Sequence, residues 1–520
     1  MTWKKEVKEI KKRETLSLNH GGKDSVKLQH KKGRKALRER LEFILDKDSF
    51  DEVGKIAGNS EYNEKGELKD FTPANFLLGF GSIDNRPVVI GGEDFTLKGG
   101  SPNPSGLRKS IYTEELALKY KIPLVRLHEG GGGSVTGSGG SAKQPKIPNG
   151  DSVFSKNRFQ SLAKCLGILP VATAALGPVA GLPAARLVAS HFSVMTKNSQ
   201  VLIAGPAVVK RALGIERTKE ELGGPDIHLK SGVVDNLAEN EEDALNQIKR
   251  FLSYLPDNYL QLPPKKMTKD KKNRKENELL ELVPKDRRKT YDMRKLLKLI
   301  LDLGSFFEYG KHYGPSLITG LARLNGDPIG VVANDCRIYA GAMTADASMK
   351  MRKFIEFVNT FNLPVVSFVD EPGFMIGPDS EKAGTIRYGT SAISALMQSK
   401  VPWAAIVVRK VFGVAGAAHF APDSYVLSWP SAETGTLPVE GGVAIAFKKE
   451  IESAENPEEN RKELENMLAK RSSPFPRAES FAVHELIDPR DSRIKLINWL
   501  NLVIKTRVAN NDIFKTSMLP

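Results

Sequence analysis

Gly79-Phe80-Gly81-Ser82-Ile83-Asp84-Asn85-Arg86-Pro87-Val88 recurs 241 residues later as Gly320-Leu321-Ala322-Arg323-Leu324-Asn325-Gly326-Asp327-Pro328-Ile329. The same offset carries Asp94 onto Asp335, Gly100 onto Gly341 and Pro123 onto Pro364, and no gap is needed. After those prolines, Leu124-Val125-Arg126-Leu127 mirrors Val365-Val366-Ser367-Phe368. Self-similarity on this scale settles architecture more firmly than local propensity does. Each copy reads as apolar strand, turn, second apolar strand, glycine-rich turn, amphipathic helix and a further buried strand. In the second copy, Met351, Phe354, Ile355 and Val358 recur at helical spacing, and 363–369 is apolar nearly throughout.

A second correspondence follows at a slightly different offset. Leu169-Pro170-Val171-Ala172 leads to Gly177-Pro178-Val179-Ala180-Gly181, and Val401-Pro402-Trp403-Ala404 leads to Gly413-Val414-Ala415-Gly416. The chain therefore reads as two homologous α/β domains, 1–260 and 291–520. The proline-containing polar stretch 261–290 reads as a linker.

The 520 residues are 40% hydrophobic and 27% charged, the composition of an ordinary globular protein. The net charge of +15 is uneven. Residues 1–40 hold 14 Lys and Arg against five Asp and Glu, and 265–295 hold 13 against six. The remainder is near neutral, which argues against a nucleic-acid-binding face. The two runs read as a solvated N-terminal arm and linker. Cys165 and Cys336 exclude a disulfide scaffold, and no metal-binding His or Cys spacing is present. Residues 165–185 carry no charge over a membrane-span length, yet Pro170, Gly177, Pro178, Gly181 and Pro183 favour a buried strand and turn. No apolar leader opens the chain, so the expected location is the cytoplasm.

The buried strands end in a carboxylate and glycines: Glu129 to Gly133, and Asp370-Glu371-Pro372-Gly373. Glycine there lets other atoms approach the backbone, and successive N–H groups form an anion nest or an oxyanion hole. The phosphate-loop, dinucleotide and nucleophile-elbow templates all fail. Two sets of backbone donors with few acid–base side chains suit chemistry that generates two oxyanions, one per domain. The alternative is that these glycines only make tight turns.

At these residues the chain resembles the carboxyltransferase (β) subunits of biotin-dependent acyl-CoA carboxylases. His30 to Arg40 is similar to the family's QHxxGKxTxRER segment, and Asp94-Phe95-Thr96 with Gly99-Gly100-Ser101 to QDFTxxGGS. Gly177 to Gly181 resembles GPCAGG, and Gly205-Pro206 with Val208-Val209-Lys210 resembles TGPDVVK. Glu221 to Gly224 with His228, Ser253 to Pro256, Asp346 to Lys350 and Asp370 to Phe374 continue the ordered series.

The resemblance implies two tandem crotonase-like domains, acyl-CoA on the first and biotin on the second. It also implies a partner biotin carboxylase or biotin carboxyl carrier subunit, and a dimer-based hexamer whose sites combine one subunit's first domain with another's second. Carboxybiotin would supply CO2, and the biotin enolate would take the α-proton of the acyl-CoA, so no protein base is required. Gly131, Gly132 and Gly133 would hold the thioester oxyanion, and Gly413, Val414 and Ala415 the ureido oxygen. Gly99, Gly100, Gly177, Pro178, Ala180, Gly181, Arg34 and Arg38 would line the acyl-CoA side. Gly341, Pro372, Gly373, Phe374, Phe412 and Gly416 would line the biotin side. No metal is expected.

The chain departs from the family where DSGGAR becomes Glu129-Gly130-Gly131-Gly132-Gly133-Ser134, and where RKxYGGAY becomes Arg409-Lys410-Val411-Phe412-Gly413-Val414-Ala415-Gly416. Both changes bear on acyl-chain preference. Met349-Lys350-Met351 imitates a biotinylation tripeptide but continues a helix, so biotin must come from a partner. The competing readings are a biotin-dependent acyl-CoA decarboxylase subunit, a biotin-independent crotonase-type hydratase or isomerase, and a basic nucleic-acid-binding protein.

Overall fold

The computed structural model describes residues 2–101, 103–132, 157, 159–471 and 473–506. The described chain divides into two compact units, one running to Tyr259 and the other starting at Leu260.

In the first unit, β1 (Phe76–Ile83) and β2 (Arg86–Glu93) form an antiparallel hairpin. Its two-residue turn holds Asp84 at φ 51° and Asn85 at φ 63°, the primed geometry whose twist matches the flanking strands. Helix α1 (Pro104–Tyr120) is N-capped by Asn103, whose side chain accepts from the Gly106 N–H. It returns the chain to β3 (Leu124–Gly130), which pairs in parallel with β2. Then β4 (Val171–Ala180) pairs in parallel with β3 and runs into the short helix α2 (Leu182–Val188). Phe192–Thr196 and Asn236–Ala238 extend the sheet, and Gln200–Leu202 pairs with the far end of β4.

The second unit repeats this plan with β5 (Leu317–Leu324), β6 (Asp327–Asn334), α3 (Ala345–Thr360), β7 (Val365–Glu371) and β8 (Trp403–Phe412). The repeat extends to register. Val89 pairs with Leu124 and Gly330 with Val365; Leu124 pairs with Val171 and Val365 with Trp403. The hairpin turn recurs at Asn325, φ 52°, and Gly326, φ 84°. Even the irregularity recurs. Ladder register breaks between His128 and Gly130, and between Val369 and Glu371, so Glu129 and Asp370 occupy equivalent bulges. Both β3 and β7 are buried along their whole length, as strands covered on both faces are.

Two expectations change. The N-terminal basic run is not a solvated arm throughout. Past the first helix it docks, with Gly21 N donating to Thr96 Oγ1 at 3.0 Å, Gln29 Nε2 to Glu129 at 2.6 Å, and Arg40 buried. Buried carboxylates compensate its charge, and that compensation lets it leave water. The basic stretch 261–290 is stitched along the second unit. Lys266 N donates to Gly326 O at 3.0 Å, Arg274 bonds Asp270 and the carbonyls of Leu299 and Leu301, and Leu279 enters the core. Those guanidinium bonds satisfy carbonyls at the C-terminal end of helix Met293–Ile300, which the helix leaves without partners. The uncharged 165–185 stretch is the end of a helix, β4 and the start of α2. No helix among the described residues is long and apolar enough to cross a membrane.

Candidate active site at the strand ends

In each unit the C-terminal ends of the two central parallel strands carry the glycine turns. β4 ends at Gly181, φ 66° and ψ −129°, and β8 ends at Gly413, φ 62° and ψ −163°. These backbone angles belong essentially to glycine. Gly181 N donates to Leu202 O at 3.3 Å and Gly413 N to Gly435 O at 3.2 Å, so each turn is pinned by a short strand of its own unit, Gln200–Leu202 in the first and Glu433–Gly435 in the second. A helical turn follows each glycine, and its first N–H groups have no intrahelical acceptor. These are Leu182 and Ala184 in the first unit, and Val414 and Ala415 in the second. Pro183 contributes no N–H. The 414–419 turn leaves Val414 exposed and Ala415 buried.

The structure brings several of the other expected residues to these turns. Gly132 lies against Gly181 and Ala180, where a Cβ would come within 3.4–3.5 Å of their backbone. Gly131 N donates to Gly99 O at 3.1 Å, so this N–H is already engaged. Gly133 lies outside the described residues. Gly100 is packed on β3, where a Cβ would meet Glu129 O at 2.6 Å, and a Cβ on Gly177 would meet Glu129 Oε1 at 2.5 Å. Pro178 and Ala180 pair with Gln200 and Leu202. Arg34 and Arg38 are committed inside the unit: Arg34 Nη1 donates to Glu129 Oε1 at 3.1 Å, and Arg38 Nη2 to Glu52 Oε2 at 2.8 Å.

In the second unit, Gly341 is the counterpart of Gly100 and packs on Asp370 O. Gly373 O accepts from Met343 N at 3.0 Å, Met343 bridges Phe374, and Gly373 N donates to Glu371 Oε1 at 3.0 Å. Pro372 lies between that carboxylate and Gly373. Phe412 is buried at the foot of the Gly413 turn, and a Cβ on Gly416 would meet Val411 at 2.8 Å. A cavity of 470 Å³ elsewhere in this unit, with Leu279, Val283, Arg409 and Trp429 in its wall, includes none of the expected residues.

Charged networks support both turns from behind. Glu129, fully buried, accepts from Gln29 at 2.6 Å, Arg34 at 3.1 Å and Arg40 at 2.6 Å; Arg40 also bonds Glu241 at 2.7 Å. Burial pulls the Arg40 guanidinium down, but Glu129 and Glu241 outweigh it and hold it above its ordinary value. At the equivalent bulge Asp370 accepts from Arg409 Nη2 at 2.9 Å and from Tyr291 Oη at 3.1 Å. Burial pushes the Glu371 carboxyl above its ordinary range against the opposing bonds from His419, Gly373 and Asn334. Glu129, Asp370, Glu371, Arg34, Arg40 and Arg409 stand in the stretches quoted above, but their pairings, and the roles of Gln29, Glu241 and Tyr291, were not evident from motif matching. The signal for the first unit is a charge inside an apolar strand, Leu124-Val125-Arg126-Leu127-His128-Glu129. Among the described residues no cluster of three or more His, Cys, Asp or Glu is placed to hold a metal ion.

The chain is similar to known proteins along nearly its whole length. The family model described as the carboxyl transferase domain matches residues 28–515. The propionyl-CoA carboxylase carboxyltransferase subunit of Haloferax mediterranei is 32% identical over 98% of each chain. The methylmalonyl-CoA decarboxylase subunit alpha of Veillonella parvula is 32% identical over 94% of this chain and 93% of its own. The crystal structure of the transcarboxylase 12S hexamer with methylmalonyl-coenzyme A bound superposes with a TM-score of 0.86 at 31% identity, covering 100% of this chain and 98% of that one. The expected pair of tandem crotonase-like α/β domains is present. With both copies of the repeat, their strand-end turns and a full-length match in agreement, this chain belongs to the carboxyl transferase domain family, the carboxyltransferases of biotin-dependent acyl-CoA enzymes.

Proposed function

We propose that the chain is the carboxyltransferase subunit of a biotin-dependent acyl-CoA carboxylase, moving CO2 to the α-carbon, or vinylogous γ-carbon, of an acyl-CoA. The observation that carries this reading is the duplicated turn. Gly181 and Gly413 end equivalent strands in closely similar glycine-only conformations, and each opens a helical turn whose first N–H groups have no intrahelical acceptor. Two such donor sets fit a reaction with two oxyanions, and each donor lost from such a hole costs about 3–4 kcal/mol of barrier.

By the register of the repeat, the counterpart of Gly413-Val414-Ala415 is Gly181-Leu182-Pro183. We therefore assign the thioester oxygen to the Leu182 N–H at the Gly181 turn. Gly132 closes the side of that turn, and the Gly131 N–H is already engaged. Val414 and Ala415 N–H groups would receive the ureido oxygen of biotin, which supplies CO2 when its carboxylated form is bound. The residues present fit that group, because Gly413 frees two adjacent N–H groups at a partly exposed turn. Gly99, Gly100, Gly177, Pro178 and Ala180 shape the first turn, and Gly341, Pro372, Gly373, Phe374, Phe412 and Gly416 shape the second. Arg34 bonds Glu129, which packs on Gly177 of β4, and Arg38 bonds Glu52.

The partners proposed are a biotin carboxylase and biotin carboxyl carrier, with the chain itself in a dimer-based hexamer in the cytoplasm. Lys350 is not the biotin attachment point: its side chain is 6% exposed and its Nζ donates to Leu317 O at 2.6 Å. The decarboxylase direction is the second reading, favoured by the full-length likeness to the Veillonella subunit. Affinity purification of the intact chain tests both. A soluble biotinylated partner, with ATP- and bicarbonate-dependent carboxylation of an acyl-CoA, is the expected result. Recovery with membrane subunits and decarboxylation alone would replace it with the second reading.

A further inference from the structure

Behind the Gly413 turn the second unit buries an acid, an imidazole and a hydroxyl in one chain of contacts. Glu371 at the end of β7, His419 at the end of the 414–419 turn and Ser367 on β7 are all fully buried. Glu371 Oε1 accepts from Gly373 N at 3.0 Å and Oε2 from Asn334 Nδ2 at 3.0 Å, and His419 Nε2 lies 3.4 Å from Oε2. Ser367 Oγ lies 2.9 Å from His419 Nδ1, and Trp403 Nε1 of β8 donates to His419 O at 2.8 Å. The histidine is therefore held at both ring nitrogens and at its carbonyl.

One carboxylate thus joins two segments of the second unit's site. Gly373 belongs to the 372–374 loop, and Gly373 O also accepts from Met343 N at 3.0 Å. His419 closes the turn that Gly413 opens, and Gly413 N is pinned to Gly435 O. Val414 and Ala415 lie between those two anchors, the short strand on one side and the Glu371–His419 pair on the other.

The fold does not require an acid at 371. At the 241-residue offset the counterpart of Glu371 is Gly130, and that of Asn334 is Glu93. The Glu93 side chain lies against Gly130, where a Cβ would meet its Cγ at 3.1 Å, and it pairs with His128 Nδ1 at 3.1 Å. Both units therefore set a carboxylate and an imidazole behind the strand end. His128, however, stands on β3 itself, and only in the second unit does the imidazole close the donor turn. The Glu371 carboxylate is costly where it stands, because its donors are an amide, a backbone N–H and an imidazole, with no guanidinium or ammonium among them. What such a bonded network provides is rigidity between the segments it joins.

Resting on the assignment of the ureido oxygen to Val414 and Ala415, we propose that Glu371 and His419 are positioning residues for biotin, fixing the donor turn against the 372–374 loop. Neither touches the reacting atoms. A misplacement of about 1 Å at a reacting centre can cost about 10²-fold in rate. All the bonds of the pair fall within the second unit, so its loss acts on biotin and not on the thioester.

The test is steady-state transfer by the purified full-length chain to free biotin from malonyl- or methylmalonyl-CoA, whichever it uses better. In that reaction the carboxyl group leaves the α-carbon for the ureido nitrogen, and the proton of that nitrogen takes its place on carbon. In Glu371→Leu and His419→Asn, kcat/KM for biotin is expected to fall about tenfold or more while KM for the thioester stays within about twofold. Leucine suits an apolar strand, and asparagine keeps a partner for Ser367 while dropping the bond to Glu371. Glu371→Gln, which still accepts from Gly373 and can donate to the imidazole, is expected to recover most of the loss. Equal losses for both substrates would mark a merely structural pair and overturn the proposal. Wild-type kcat/KM for biotin in either folded variant would overturn it as well. Should Glu371→Leu not fold, His419→Asn and Glu371→Gln carry the same comparison. No transfer to biotin by the wild-type chain would overturn the carboxyltransferase reading and this inference with it.

Discussion

Replacing Glu129 probes how the first unit holds its N-terminal segment. Its carboxylate is fully buried and receives three donors from residues 29–40, two of them guanidinium groups. In Glu129→Gln the amide NH2 is best placed toward Arg34, which is 16% exposed and can turn to water, while the carbonyl keeps Gln29 and Arg40. The loss is one charge-assisted bond plus part of the compensation of Arg40, about 2 kcal/mol. Glu129→Ala strips all three donors and leaves Arg40, 1% exposed, facing Glu241 alone. Breaking a buried pair in this way costs about 3–5 kcal/mol. With a urea slope of about 1–3 kcal/mol/M, the Ala variant should move the first transition down by 1 M or more and the Gln variant by roughly half that. Hydrogen exchange across 23–44 should rise in the same order, because those helices are what the carboxylate anchors. Shifts below about 0.5 kcal/mol in both variants would refute the claim that Glu129 is the anchor.

Gly413→Ala and Gly181→Ala place a side chain in a glycine-only conformation at a strain of about 1–3 kcal/mol. Each should cut carboxyl transfer on the order of 10²–10³-fold while circular dichroism keeps the fold, and near wild-type transfer would remove these turns from the site. The buried Glu371 carboxyl has a folded pKa raised above its ordinary 4.5. Its stabilising contribution is thus full below pH 4.5 and is lost as pH rises through the raised value. Urea midpoints measured from pH 4.5 to 8 should show that decline in wild type and less of it in Glu371→Gln. Streptavidin blotting should find no biotin on this chain, since the only lysine in a biotinylation-like tripeptide is buried and bonded.

The duplicated architecture was legible from the 241-residue offset because strand pairing and tight turns are local consequences of the repeated residues. Asp84-Asn85 and Asn325-Gly326 make the same turn, and that equivalence needs no tertiary information. The glycine turns were legible for the same reason. The partners of the bulged carboxylates were not, because Arg40, Glu129 and Glu241 are far apart in sequence and no periodicity links them. Arg34 shows the limit of charge counting. The resemblance placed its cation on the acyl-CoA side, and in the fold it bonds a buried carboxylate that charge counting does not reveal. Gly131 shows the limit of reading glycines as free donors, since its N–H is used by Gly99.

The Arg40–Glu241 pair spans 201 residues, and that distance has a consequence during synthesis. At about 5–20 residues per second, the N-terminal helices wait roughly 10–40 s for the glutamate that will bury Arg40. Through the later part of that interval Arg40 has Glu129 as its one carboxylate partner, and the segment is not yet fully docked. Its excess of lysine and arginine keeps it hydrated and self-repelling until the second carboxylate leaves the ribosome. The same basic residues that anchor the folded enzyme thus protect the unfinished one.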